Sequence, residues 1–138
     1  MLKKGLQDLL KNDATIAAAV GPRVRIGRIP EGTSYPVIVL HVISPEYFIS
    51  LQGVNATQAK IVQINCWAKT PKGADEVAQA VHNLLDGYRG TLSEGSGVMA
   101  CIPSGEVDSE DEQLKLSCVA VDFKLYFTPG EFLDVSPP

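Results

Sequence analysis

The sequence predicts an α+β fold, a mostly antiparallel sheet of four or five strands packed with two helices. Three observations carry that prediction. Residues 62–69 alternate strictly, with Val62, Ile64, Cys66 and Ala68 on one side and Gln63, Asn65, Trp67 and Lys69 on the other, the period of a half-buried strand. Directly behind them, Ala74, Val77, Ala78, Val81, Leu84, Leu85 and Tyr88 fall at helical spacing. Near the end, Val119, Val121, Phe123, Leu125 and Phe127 alternate with Ala120, Asp122, Lys124 and Tyr126, a second long strand with one apolar face.

The chain has 138 residues, 45% of them apolar and 20% charged, which suits one domain with an ordinary core. We read residues 1–138 as that single domain, with a core over about 2–127 and a C-terminal tail over 128–138. No apolar run is long enough to span a bilayer, and the first residues lack a secretory apolar block, so the sequence points to a protein made in a cytoplasm. A net charge of −4 and a pI near 5.1 give no general attraction to nucleic-acid phosphates.

The elements follow in order. Leu2, Leu6, Leu9 and Leu10 form an apolar stripe, so residues 2–11 should be an amphipathic helix that Asn12 can close. Asp13 can cap a short further turn through Ile16, Ala19 and Val20, which Gly21-Pro22 ends. Residues 23–29 alternate arginines with Val24 and Ile26, as in a short edge strand, and 30–34 read as a polar loop. After Pro36, residues 37–43 are apolar on both faces except at His41, the expectation for a central, doubly covered strand.

Residues 44–59 form an excursion whose Tyr47, Phe48, Ile49 and Leu51 match no clean strand period. Either it is a hairpin arm folded back on its own domain or it docks onto another chain. Thr70 is placed to cap the helix over 71–87 and Pro71 to fill its first position, where no N–H is missed. Gly87 and Gly90 end it in a turn, and Val98–Ile102 reads as a strand. Glu106, Asp108, Glu110, Asp111 and Glu112 crowd a segment that we expect to be a solvated turn between strands. Thr128-Pro129-Gly130 stops the last strand, and Phe132-Leu133 stand in the tail.

Candidate chemistry is sparse. Cys66, Cys101 and Cys118 are too scattered for a disulfide framework or a zinc site, and each sits among apolar neighbours in an expected strand. They read as reduced, buried small hydrophobes. His41 reads as a core histidine with a satisfied hydrogen bond, and His82 as a solvated residue on the outer side of its helix. No phosphate-binding glycine loop, nucleophile elbow, metal-binding histidine pair or dinucleotide fingerprint is present, so no catalytic, cofactor or metal residues are assigned.

Read end to end, the chain resembles the phage tail-completion family. Leu9-Leu10 and Asp13 look like its opening helix, and Gly21-Pro22-Arg23-Val24 with Arg28-Ile29-Pro30-Glu31-Gly32 like its first strand and loop. Pro36-Val37-Ile38-Val39 resembles its second strand and Leu51-Gln52-Gly53 its midchain loop. The strongest likeness is Val62–Ala68 with the helix behind it and Leu84-Leu85-Asp86-Gly87-Tyr88-Arg89-Gly90. Asp122-Phe123-Lys124-Leu125-Tyr126 resembles the closing strand. The likeness runs over roughly residues 6–127 and leaves the acidic segment and the tail without a counterpart.

What the resemblance implies is a structural virion protein of the tail neck with no catalytic residues. It forms a ring of six copies at the head-proximal end of the tail, ends the tail tube there, and joins it to the head–tail connector or stopper protein. DNA passes through such a ring without specific binding, and no membrane is involved. A ring with heterologous contacts needs two different complementary patches per copy. Tyr47, Phe48 and Leu51 in the excursion, with Phe132 and Leu133 in the tail, are the candidate interface. The alternatives are a stand-alone α+β domain that holds a ligand or peptide, or a small enzyme in which His41 meets a cysteine.

Overall fold

Leu2, Leu6 and Leu10 recur on one side of the first helix and are all buried, so α1 (Leu2–Asn12) forms as its stripe predicts. The computed structural model describes residues 2–46 and 57–129, and everything below concerns those residues. Asp13 breaks the run by taking extended backbone and accepting a 3.0 Å hydrogen bond from the Ile16 N–H, which starts α2 (Ala14–Val20). Gly5 lets α1 lie close to the 92–94 turn, because a Cβ there would stand 2.9 Å from both Leu92 Cβ and Glu94 Cγ.

The strands are β1 (Val24–Ile26), β2 (Val37–Glu46), β3 (Gln58–Ala68), β4 (Gly90–Thr91), β5 (Gly97–Asp111) and β6 (Leu116–Thr128). They make one sheet in the order β1-β2-β3-β6-β5-β4. Only the β1–β2 pair is parallel; the other pairs are antiparallel. The class is therefore the α+β, mostly antiparallel one expected, with six strands in place of four or five. The expected pair of helices becomes three, since Asp13 separates α1 from α2 and α3 (Pro71–Leu85) follows β3.

Thr70 Oγ1 accepts from the Gly73 N–H at 3.0 Å and Pro71 begins the helix, as the sequence predicts. Ala74, Val77, Ala78, Val81 and Leu85 are buried on its inner side, and Gly87, at φ 74°, makes the turn that leaves it. α3 lies across β3 and β6. There it covers Val62, Ile64 and Cys66 together with Val119, Val121, Phe123 and Leu125, all of them in one continuous core. Fully burying side chains of this size stabilises by ~1.5–3 kcal/mol each.

Four expectations change. The 37–43 strand lies next to the edge strand β1, not at the centre. Val37, Ile38, Val39 and Leu40 are nonetheless buried, while His41 is half-buried and Ile43 is 47% exposed. The excursion is strand at both ends: Ser44, Pro45 and Glu46 pair with Ile61, Lys60 and Ala59. The acidic segment is not a turn, because Glu106 through Asp111 pair with Val121 through Leu116. Acidic residues disfavour strands only weakly, and a long apolar partner strand supplies the pairing. The turn is confined to 112–115, where Asp111 Oδ1 accepts from the N–H groups of Gln113 and Leu114.

The fourth concerns His82. It is not a freely solvated residue, for its ring nitrogens lie 2.8 Å from Asp86 Oδ1 and 2.8 Å from Glu106 Oε1. Its ring also tilts against Phe123 at 5.7 Å.

Candidate functional site

The described helices pack on one side of the sheet; on the other side Val37, Val39 and Ala59 are buried all the same, so the outer strands are where a partner most readily reaches backbone and side chains. Residues in register share a side, and on the helix-free side Val39, Asn65, Ala120 and Val107 form one row across four strands. Beside that row, Asn65 Nδ2 donates to Gln63 Oε1 at 3.1 Å and Gln63 Nε2 donates to Asp122 Oδ1 at 3.2 Å. Cys118 Sγ lies 3.9 Å from Asn65 Oδ1. These polar groups satisfy one another at the centre of the sheet, as half-buried amides and carboxylates must.

The two margins of the sheet differ. At one, α1 braces β1: Gln7 Nε2 donates to the Val24 carbonyl at 2.7 Å. Arg23 Nε donates to the Pro36 carbonyl at 2.9 Å. Arg25 makes only a 3.4 Å contact with the Pro22 carbonyl, and its Nε is buried without a hydrogen-bond partner. Arg28 is exposed.

At the other margin β4 pairs only with Gly97 and Val98. Beyond that point the Gly87 N–H still donates to the Cys101 carbonyl at 2.9 Å; past Cys101 no described strand pairs with the outer side of β5, and residues 102–110 are exposed throughout. Four large apolar side chains stand out along this margin and its turn: Met99 at 42% exposed, Ile102 at 50%, Val107 at 64% and Leu114 at 65%. An exposed edge strand offers its backbone to another chain, and here Pro103, the register irregularity at Pro103–Gly105 and the carboxylates limit simple strand addition, so that a partner would be met chiefly by side chains.

Glu106, Asp108 and Glu110 lie on the helix side of β5, opposite Val121, Val119 and Ser117. A groove of about 420 Å³ runs there between the start of α3 and the strand, lined by Pro71, Ala74, Asp75, Asp108 and Glu110 among others. His82 ties the two elements together. Partial burial pushes its pKa down, but hydrogen bonds to Asp86 and Glu106 and the charges of both carboxylates outweigh this and hold it above the ordinary histidine value.

The cysteines do not form a reactive centre. All three are free and buried. Burial pushes Cys101 to about 12 and Cys118 to about 11; Cys66 is raised by burial and then by Cys118 and Glu106. A nucleophilic thiol needs the opposite shift. His41 meets none of them: it stands opposite Gln63, itself opposite Asp122, and Cys118 lies four residues further along β6, roughly 13 Å away along the strand. The His41 side chain also makes no hydrogen bond among the described residues, contrary to the satisfied core histidine expected. No group of three or more His, Cys, Asp or Glu among the described residues is disposed to hold a metal ion. No described helix is long and apolar enough to cross a membrane.

Tyr47, Phe48, Leu51, Phe132 and Leu133 lie outside the described residues. The β5 margin was missed at the sequence level. Its signal was Ile102 and Val107 beside so many carboxylates, a mixture that suits a strand exposed on both sides better than a turn.

A helix-backed sheet with one long strand margin left bare among the described residues offers a surface on which another chain can sit. The profile of the family described as tail completion protein gp17 matches residues 4–128, and the chain belongs to that family. It is thus a structural phage tail protein and not an enzyme. Among solved structures, a chain in "Virion of native gene transfer agent (GTA) particle" is similar in fold, with a TM-score of 0.78 at 19% identity. The likeness covers 93% of this chain and 95% of that one. No match was found among curated proteins.

Proposed function

We propose that this chain closes into a ring of six copies at the head-proximal end of the tail. There it ends growth of the tail tube and offers a face to the head–tail connector or stopper protein, while DNA passes through the lumen without specific binding. The family match across residues 4–128 carries this reading. The fold likeness to a chain of a virion particle supports it. So does the long bare margin of β5, since a copy in a ring must offer a neighbour a second surface unlike its first.

The first test is direct: electron microscopy of the purified protein, alone and with tail-tube ends, is expected to show closed rings or capped tubes. Protein that stays monomeric in both settings overturns the reading. Tyr47, Phe48, Leu51, Phe132 and Leu133 are the proposed contact residues outside the β5 margin, and aromatic anchors at an interface centre are each worth ~2 kcal/mol or more. Replacing Tyr47 and Phe48 with serine is expected to leave the monomer folded and to yield unjoined heads and tails or tails of uncontrolled length. Normal virions from a producer carrying only that double variant would remove the loop from the interface.

A further inference from the structure

The two margins of the sheet carry opposite charge, and that asymmetry says which neighbour fits the bare strand. Along β5 and its turn stand Glu106, Asp108, Glu110, Asp111 and Glu112. Around β1 stand Arg23, Arg25 and Arg28. Arg23 is held by the Pro36 carbonyl, but Arg25 and Arg28 form no ion pair among the described residues, and neither do Asp108 and Glu110.

Two copies meeting β5 to β5 would set carboxylate against carboxylate, and like charges across a contact exclude a partner strongly. A copy that presents its arginine margin to the β5 margin of the next pairs guanidinium with carboxylate, the strongest of the common ionic contacts. Because the Val24 carbonyl is already taken by Gln7, β1 does not simply add as a further strand; side chains lead the contact.

We propose that the β5 margin from Ile102 to Glu110 is the seat for the β1 margin of a second copy, with Arg25 and Arg28 of one copy against Asp108 and Glu110 of the next. This rests on the ring reading above and names the surfaces that close it. The contact is heterologous, so repetition gives a closed ring where the rotation closes, and not a two-fold dimer.

The test is a charge swap in the intact chain. One variant carries Asp108→Arg and Glu110→Arg, the other Arg25→Glu and Arg28→Glu. Each alone has two margins of like sign, and self-association is expected to weaken roughly 100-fold or more while thermal melting still reports a folded monomer. Mixed in equal amounts, the two variants are expected to regain the wild-type assembly mass by light scattering, since alternating copies close any even-numbered ring. If Arg25→Glu does not fold, Arg28→Glu alone against Asp108→Arg serves the same comparison. Variants that each assemble as wild type does, or folded variants whose mixture stays monomeric, overturn the proposal while leaving the ring reading intact. A wild-type protein that never assembles, even on tube ends, overturns both.

Discussion

β5 and β6 are paired nearly residue for residue, from Gly97 with Thr128 to Asp111 with Leu116, yet they live in different environments. On β6, residues 116–127 are buried or half-buried without exception, while on β5 residues 102–110 are all exposed. The difference is position in the sheet. β6 lies between β3 and β5 beneath α3, and β5 lies one strand further out, where α3 touches the far half only at its margin, through His82 to Glu106, and no other described strand pairs with it. A strand's own hydrogen-bond ladder is therefore no guide to its burial; what covers it decides. β6 serves the core and β5 serves the surface, although a single hairpin makes both.

The largest way to break that contrast is to put charge under α3. Val81 is fully buried and Ala78 nearly so, so Val81→Asp or Ala78→Asp forces an unpaired carboxylate into the core at a cost of several kcal/mol, comparable to the whole stability of a small domain. Neither variant is expected to give soluble protein with a cooperative melt, and one that does would show that the buried side of α3 has been misassigned.

The next comparison runs across the hairpin. Phe123 is fully buried on β6 and Val107 is 64% exposed on β5. Phe123→Ala is expected to cost about 3–5 kcal/mol in urea unfolding, and Val107→Ser to stay within ~0.5 kcal/mol. A loss of more than ~2 kcal/mol from Val107→Ser would mean that β5 is covered in the monomer. Cys66, under the helices but small, sits between these extremes. Cys66→Ala should cost about 1–3 kcal/mol and leave tail joining unchanged; loss of joining in a well-folded variant would restore a reactive role for the thiol.

The smallest effect concerns the tie between the two regions. The folded-state pKa of His82 lies above its ordinary 6.5, so the protein favours the protonated ring. The stabilisation is fully present below the unfolded-state value and fades as pH rises through the folded-state value. Partly exposed ion pairs are worth ~0–1 kcal/mol, so wild type should lose a degree or two of melting temperature relative to His82→Gln between about pH 6 and pH 8.5. A His82 ring that titrates below 6.5 by NMR would break the tie as described.

Local pattern determined much of this protein. The period of two in 62–68 and 119–127, the helical spacing of 2–10 and 74–85, and the caps at Asp13, Thr70 and Pro71 each follow from chain geometry that operates within a few residues. The family resemblance, too, was legible in ordered fragments of sequence. Strand order was not, because which strand lies beside which is settled by the burial of every face at once. An apolar partner strand turned the acidic 106–111 segment into sheet, and the limited reach of α3 left it bare. The same global choice set His82 beside Glu106, 24 residues away, and Gln63 beside Asp122, 59 residues away. It also sent the arginines and the free carboxylates to opposite margins of one sheet, because β1 ends the strand order on one side while β5 is left bare on the other.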